Sequence, residues 1–345
     1  MVFFYRLWTK GVVIVKRYFP FVPAILCVSL LLAGCESTTM GGATDSSRRQ
    51  LLTVSADNVN DMAATMYHDI LDEARAAKKL NAHAPTVRRV RTIANQLIDQ
   101  TGVFRPEAAE WGWEVNVIRD DDPNAYCLAG GKIIVNSGLI TGLKVNDDEL
   151  AAIIGHEIAH ALREHSREQM SHEFKGALAI TAVQLVPQLL AAGKSLKNMD
   201  TSAQSLSQVS NQVQNIVGQI DTKNPTDMAV ATAMASLVLH QLPFSRIMEE
   251  EADVIGMELA SRAGYDPRGA VTFWRKMEQL RVQGMGRQNK PISFLASHPA
   301  DDRRIGNLEK HLPVLQPIYS QAAQRRGDGQ RGQPAAQRQR APSKR

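Results

Sequence analysis

The feature that most constrains this sequence is the run His156-Glu157-Ile158-Ala159-His160, which lies in a stretch of Leu, Ile and Ala. The two histidines are four residues apart. On a helix they would lie about 40° apart in azimuth and roughly 6 Å apart along the axis. Two imidazole nitrogens could then converge on one metal ion, with Glu157 beside it. The alternative is a pair of hydrogen-bonded histidines in an ordinary core.

The helix that carries this run is predicted to be buried. It begins with acids at Asp147-Asp148-Glu149, which suit a first turn, and should run from about 148 to 166. Burying two imidazoles and a carboxylate is costly without partners, which favours a metal site over a plain core. The spacing is typical of zinc hydrolases, which use three protein ligands. His165 is a poor third ligand, because on a continuous helix it points about 140° away from His160.

A second acidic helix start supplies a better third ligand. Glu249 and Asp253 are four residues apart and share one face of the predicted helix. Glu249 could bind zinc while Asp253 accepts the outer N–H of a ligating histidine. Glu250 and Glu251 would point elsewhere and be solvated. The alternative is an acidic helix start with no metal.

Residues 1–34 are predicted to be an export signal, with basic residues before an apolar stretch and no acid. The stretch ends in Leu32-Ala33-Gly34-Cys35, which resembles a bacterial lipobox and implies cleavage before Cys35 and acylation of its thiol. Glu36 follows, which by analogy with sorting rules favours the outer membrane over the inner one. A short transmembrane anchor is the alternative, but prolines shorten the apolar run below a stable span.

Charge is distributed unevenly along the chain. The formal net charge is +5, but the signal and the tail over 321–345 hold the excess of bases. The body between them is mildly acidic, which argues against a nucleic-acid-binding domain. We expect residues 35–56 to be a flexible tether and the Gln/Arg/Gly/Pro-rich tail to be disordered. Cys127 alone remains after lipidation, so no intramolecular disulfide is expected.

The patterning of the body predicts a mainly α fold with a small β-sheet, an α+β class. Apolar residues recur at helical spacing from Asp57 and again after Pro85. Residues 111–117 instead alternate like a strand, and after a turn at 120–124 two further short strands are predicted at 125–128 and 133–135. One domain should therefore span 57–320. Residues 171–242 are the least regular part and are interpreted as a helical insert that packs onto the body, with a mobile lid or a partner-docking helix as the alternative.

Several motifs together resemble a known family. They are Asn124–Lys132, the run His156–His165, Ser245–Asp253, and Ser297-His298-Pro299 with Arg304-Ile305. In this order they resemble the gluzincin endopeptidases of the HtpX and CAAX-prenyl-protease family (M48), especially periplasmic, lipid-anchored members of the LoiP type, over roughly 60–310. The resemblance implies a zincin-like catalytic domain.

Carried over by motif, the resemblance implies that His156, His160 and Glu249 bind one Zn²⁺ ion and that Glu157 is the general base. Asp253 would then support a ligand from behind. His298 is a candidate oxyanion donor, or a fourth ligand that blocks a latent site, or simply a surface histidine before Pro299. Cys127 as a fourth ligand is conceivable, but a small buried strand residue is the preferred interpretation.

The functional prediction is a zinc-dependent metalloendopeptidase (EC 3.4.24.-) that acts on unfolded or misassembled cell-envelope proteins. It would be an outer-membrane lipoprotein facing the periplasm of a Gram-negative bacterium, held by its N-terminal lipid, with outer-membrane assembly machinery as a further partner. The substrate class comes from the resemblance and the compartment. The alternatives are an envelope chaperone or assembly factor with latent protease activity, and a lipoprotein with a purely structural metal.

Overall fold

The computed structural model describes residues 35–172, 244–282, 293–299 and 302–331. The export signal predicted over 1–34 lies outside the described residues. So does the insert predicted over 171–242, apart from its first two residues.

The N-terminal strap, residues 35–55, follows the surface of the body. Strand β1 (Cys35–Glu36) pairs antiparallel with β2 (Gln50–Leu51). Between them, the backbone N–H groups of Ala43 and Thr44 donate to the carboxylate of Glu258. A flexible tether was predicted here, but the described segment is hydrogen-bonded to the body. Its partners are charged side chains such as Glu258 and Glu251, which lie more than a hundred residues later in the sequence.

Two amphipathic helices follow the strap, as the periodicity predicts. Helix α1 spans Ala56–Ala76 and buries its apolar stripe. Helix α2 spans Ala84–Ile98, with Pro85 in its first turn, where a proline costs no hydrogen bond. The side chain of His83 caps α2 by accepting the N–H of Thr86.

A three-stranded sheet lies against these helices. Its strands are β3 (Glu114–Ile118), β4 (Ala125–Leu128) and β5 (Lys132–Asn136), in the order β3-β5-β4. Strand β5 runs parallel to β3 and antiparallel to β4. The turn between β4 and β5 uses positive φ angles at two glycines, which only glycine adopts freely. Because β5 is the central strand, β4 is an edge strand of the sheet.

Helix α3 (Asp147–Leu162) runs through the middle of the domain. The Asn146 side chain accepts the N–H of Glu149, and the Glu149 side chain accepts that of Asn146, forming a capping box. Every residue from Glu149 to Leu162 is buried. The helix is surrounded by α2, β4 and the helices that follow, as its apolar circumference predicts.

The remaining helices complete the body. They are α4 (Arg246–Arg262), α5 (Arg268–Val282), α6 (Ser293–Ser297) and α7 (Asp302–Arg331). Within the described residues, no helix has both the length and the apolar run that crossing a bilayer requires. The α+β fold class is confirmed.

The C-terminal tail differs from its prediction in its first part. Helix α7 continues through residues 321–331 instead of ending near 320. Arg326 stacks over the ring of Tyr265 at 4.2 Å and donates to the carbonyl of Gly264. These contacts hold the helix against the body where composition alone indicated a solvated chain.

Candidate metal centre

Helices α3 and α4 cross at two glycines. A Cβ atom on Gly256 would lie 2.5 Å from the backbone nitrogen of His156, and one on Gly155 would lie 2.6 Å from the carbonyl oxygen of Gly256. A larger residue at either position would force the helices apart, because packed interiors have no room for such contacts. The crossing places the histidines of α3 beside the acids of α4.

Four buried side chains each place a ligand atom within 4.8 Å of one another: His156, His160, Glu249 and His298. The Nε2 atoms of His156 and His160 are 3.0 Å apart. Glu249 Oε1 lies 3.4 Å from His160 Nε2 and 2.9 Å from His298 Nδ1. The structure thus brings together the three predicted ligands and His298.

Asp253 lies behind His156, as its spacing from Glu249 predicts. Its Oδ1 atom is 3.0 Å from His156 Nδ1. Because a carboxylate only accepts, Nδ1 carries the proton and Nε2 faces the other ligands. Burial lowers the pKa of His156, but Asp253 and Glu249 outweigh it and raise that pKa to about 9. The site therefore favours positive charge at this point.

The chain after His160 departs from the predicted continuous helix. Helix α3 ends at Leu162, and Glu164 adopts a φ of 48° before residues 165–172 become helical again. This turn brings His165 Nδ1 to 2.8 Å from His160 Nδ1. The expectation that His165 points away from His160 was wrong, because it assumed an unbroken helix.

Glu251 is not solvated, contrary to expectation. Its side chain is 10% exposed and pairs with Arg163 at 2.9 Å, and His165 Nε2 lies 3.1 Å from its Oε2. Burial would raise the pKa of Glu251, but hydrogen bonds from His165 and Arg48 outweigh it and lower the pKa to about 2. Glu250, by contrast, is exposed as expected.

Glu157 points toward the same cluster from α3. The backbone of Cys127 in β4 lies close enough to its carboxylate to lower its pKa slightly. Its Oε1 atom has no hydrogen-bond partner among the described residues and lies 3.4 Å from His298 Nε2. Burial raises the pKa of Glu157, against a smaller opposing effect of His298 and His156. A buried carboxyl with raised proton affinity and one unbonded oxygen suits a general base.

His298 is 2% exposed, so its interpretation as a surface histidine was wrong. Its backbone N–H donates to the carbonyl of Phe294 in α6 at 2.8 Å. Its Nδ1 atom lies 3.3 Å from His156 Nε2, and its Nε2 atom faces Glu157. His298 thus stands between the ligands and the candidate base.

Arg304 is the residue that sequence reasoning missed. Its guanidinium forms ion pairs with Asp253 and, at 2.7 Å, with Glu249 Oε2. It also lies 3.5 Å above the ring of Trp274. The arginine neutralises two buried carboxylates and fixes their orientation, since a planar fork can bind both. Its position shortly after His298 indicated that the two residues share a motif, but it did not indicate the ion pairs with Asp253 and Glu249.

Cys127 belongs to the wall of a groove beside the edge strand β4. Burial raises the pKa of its thiol well above the usual range, so a thiolate ligand is disfavoured. The interpretation as a small buried strand residue is confirmed. The groove is lined by Val59, Asn60, Cys127, Ala129, His160 and Arg167.

The donor set fits a zinc ion. His156 Nδ1 is directed outward to Asp253, and His160 Nδ1 to His165. The two Nε2 atoms and the carboxylate of Glu249 therefore face one another across a buried space. Converging acceptors repel one another unless a cation lies between them. Two imidazoles and one carboxylate are an established ligand set for catalytic zinc.

The sequence matches Peptidase family M48 over residues 84–312, which is well over half of the chain. The chain belongs to peptidase family M48. All four residues of the ligand cluster, and Glu157, lie inside the matched range. Peptidase family M48 is a family of metalloproteases.

Curated relatives of this M48 chain include mitochondrial metalloendopeptidase OMA1 of Schizosaccharomyces pombe, 31% identical over 274 residues, with 79% of this chain and 66% of that protein covered. OMA1 of Saccharomyces cerevisiae is 29% identical over 212 residues, covering 61% and 50%. The beta-barrel assembly-enhancing protease of Escherichia coli is 23% identical over 251 residues, covering 72% and 44%. The chain thus spans 44–66% of the length of these relatives.

Proposed function

We propose that the chain is a zinc metalloendopeptidase that hydrolyses peptide bonds in unfolded or misassembled proteins of the cell envelope. The observation that carries this proposal is the convergence of His156, His160 and Glu249 on one buried point beside Glu157. Zinc bound there supplies a Lewis acid that polarises a carbonyl and acidifies water.

Side chains of the protein carry out the proton transfers and hold the ligands in place. Glu157 removes the proton from the attacking water and then delivers it to the leaving amine. Its burial supports this role, because it brings the pKa of the carboxyl closer to neutrality. Asp253 holds the His156 ring, and Arg304 holds Glu249.

The edge strand β4 supports an extended polypeptide as the substrate. An edge strand can pair with the backbone of an added strand, whatever its sequence. Strand β4 also runs directly past the candidate base, since the backbone of Cys127 lies close enough to Glu157 to affect the pKa of its carboxylate. Folded proteins rarely offer a free extended segment, so unfolded or misassembled chains are the preferred substrates.

His298 supports a closed resting state. Its position among the ligands and against Glu157 occupies the space that water and substrate need. We propose that His298 is the blocking fourth ligand and that it withdraws when substrate enters. An oxyanion donor, by contrast, would have to stay in place during the reaction.

The closed site also favours a second candidate, an envelope chaperone or assembly factor with latent protease activity. The four clustered ligands and Glu157 are all at most 4% exposed, a state that would bind clients without cutting them. The two functions differ in whether zinc-loaded protein cleaves a client that it binds.

The proposed location rests on Cys35. The OMA1 relatives are named as mitochondrial, so the family does not fix the compartment, and the lipobox carries this part of the proposal. A lipid on Cys35 would hold the body close to the outer membrane, because the strap lies along the body. The name of the Escherichia coli relative refers to beta-barrel assembly, which supports outer-membrane assembly machinery as a partner. Mass spectrometry of the N-terminal peptide should find acylated Cys35, and an unmodified Cys35 would refute the anchor.

The proposed activity is tested with the full chain in detergent and added zinc, using unfolded casein as substrate. Glu157→Gln should lower cleavage about 10²–10⁴-fold through loss of the general base, with zinc content unchanged. Glu250→Gln removes an exposed neighbouring charge and should cleave like the wild type. Equal cleavage by Glu157→Gln and the wild type would refute the mechanism. Casein binding without cleavage by either protein would favour the chaperone.

A further inference from the structure

A buried polar chain connects the ligand His160 to the N-terminal strap. His160 Nδ1 lies 2.8 Å from His165 Nδ1, and His165 Nε2 lies 3.1 Å from Glu251 Oε2. His165 is completely buried. The ring of His156 is supported directly by the carboxylate of Asp253. The ring of His160 is instead supported by the neutral ring of His165, which is in turn bound to the carboxylate of Glu251.

The carboxylate decides which nitrogen of each ring carries a proton. Glu251 is surrounded by cationic donors, so it is ionised and only accepts. His165 must then carry its proton on Nε2, which leaves Nδ1 as an acceptor. His160 consequently donates from Nδ1 and keeps the Nε2 lone pair directed at the ligand cluster.

Two arginines hold Glu251 in place. Arg48 of the strap donates from Nε to Oε1 and from Nη2 to Oε2, both at 2.9 Å. Arg163, which is fully buried, donates to Oε1 at 2.9 Å. Arg163 is itself bound by strap side chains, through Ser37 Oγ at 3.1 Å and Thr39 Oγ1 at 3.0 Å.

We propose that His165 and Glu251 are positioning residues for His160, and that Arg48 of the N-terminal strap completes them. The strap, which begins at the predicted lipid-bearing Cys35, therefore helps to set the metal affinity of the centre. This inference rests on the proposed zinc ligands. A purely structural role for these residues would change stability but not the zinc affinity of the folded protein.

The test measures zinc dissociation constants by competition with a chromophoric chelator on the full chain in detergent. His165→Phe keeps the ring shape without its nitrogens and should weaken zinc binding about 10–100-fold. His165→Asn keeps an acceptor near the Nδ1 position and should recover part of this loss. Arg48→Ala should weaken binding by a smaller factor, about three- to tenfold. The exposed Arg88→Ala is the matched control and should bind like the wild type.

Zinc affinities of folded His165→Phe and Arg48→Ala within twofold of the wild type would overturn the proposal. Arg48 lies at the edge of the network, 33% exposed, so its variant decides the question even if His165→Phe does not fold. Glu249→Ala separates the two proposals. If Glu249→Ala weakens zinc binding while His165→Phe and Arg48→Ala leave the zinc dissociation constant unchanged, only the positioning role fails. If the wild type itself binds no zinc, both proposals fail.

Discussion

Gly155 of α3 and Gly256 of α4 lie in backbone contact, directly beside the candidate ligand His156. The approach of these helices brings residues a hundred positions apart in sequence into one cluster. The proposed metal centre would therefore be built on a crossing of two rigid helices, which fixes ligands more accurately than loops do.

Gly256→Ala should destabilise the protein and reduce zinc retention. The added methyl would lie 2.5 Å from the His156 nitrogen, and overpacking of this kind costs about 1–3 kcal/mol. Gly306→Ala is the control, because a Cβ at this helical position meets nothing within 4 Å. Urea unfolding and zinc content measure both effects. A Gly256→Ala protein as stable as Gly306→Ala would show that the crossing is looser than described.

Glu168 should make the strap sensitive to acid. Burial would raise its pKa, but hydrogen bonds from Arg48 and Gln50 outweigh it and lower the pKa. A lowered folded-state pKa gives stability that is present above the unfolded value of about 4.3 and is lost as pH falls through the folded value. Glu168→Gln should cost about 1.5–3 kcal/mol at pH 7, with the difference from the wild type shrinking below about pH 4.

Unfolding of this variant by urea at several pH values provides the measurement for Glu168. The exposed Glu250→Gln serves as the control and should show little difference at any pH. The link between the lowered pKa of Glu168 and stability would be contradicted if Glu168→Gln lowered the free energy of unfolding by the same amount at pH 7 and at pH 3.

His298→Ala should increase the cleavage of unfolded casein while zinc is retained. The substitution removes the group that contacts both the ligands and Glu157, and three protein ligands remain, as in other catalytic zinc sites. Initial rates with zinc in excess give the comparison. A loss of about 10²–10³-fold would instead assign His298 as an oxyanion donor.

Much of the fold and of the candidate ligand cluster could be predicted because local patterns report burial directly. The period of apolar residues indicated α1 and α2, the acids at 147–149 indicated the start of α3, and alternation indicated β3. The spacing of His156, His160, Glu249 and Asp253 indicated shared helical faces, and the structure brings these four side chains together. Helical geometry is local, so four-residue spacings could be interpreted without knowing the tertiary structure.

The surroundings of the ligands could not be predicted because they depend on distant partners. Glu251 is held by Arg48, which lies 203 residues earlier, and the strap is ordered by the same pairs. His165 was misplaced because a single positive φ at Glu164 ends helix α3, and a non-glycine residue gives no warning of that conformation. Arg304 required knowledge of how α7 packs on α4.

The most direct test of the metal centre is the zinc content of purified full chain by inductively coupled plasma mass spectrometry. The wild type and Glu250→Ala should retain about one zinc ion per chain. Glu249→Ala should retain markedly less zinc after dialysis, because it removes the only anionic group among the four clustered side chains of the described residues and leaves the cationic Arg304 without this partner. Equal zinc content in all three proteins would contradict the proposed centre.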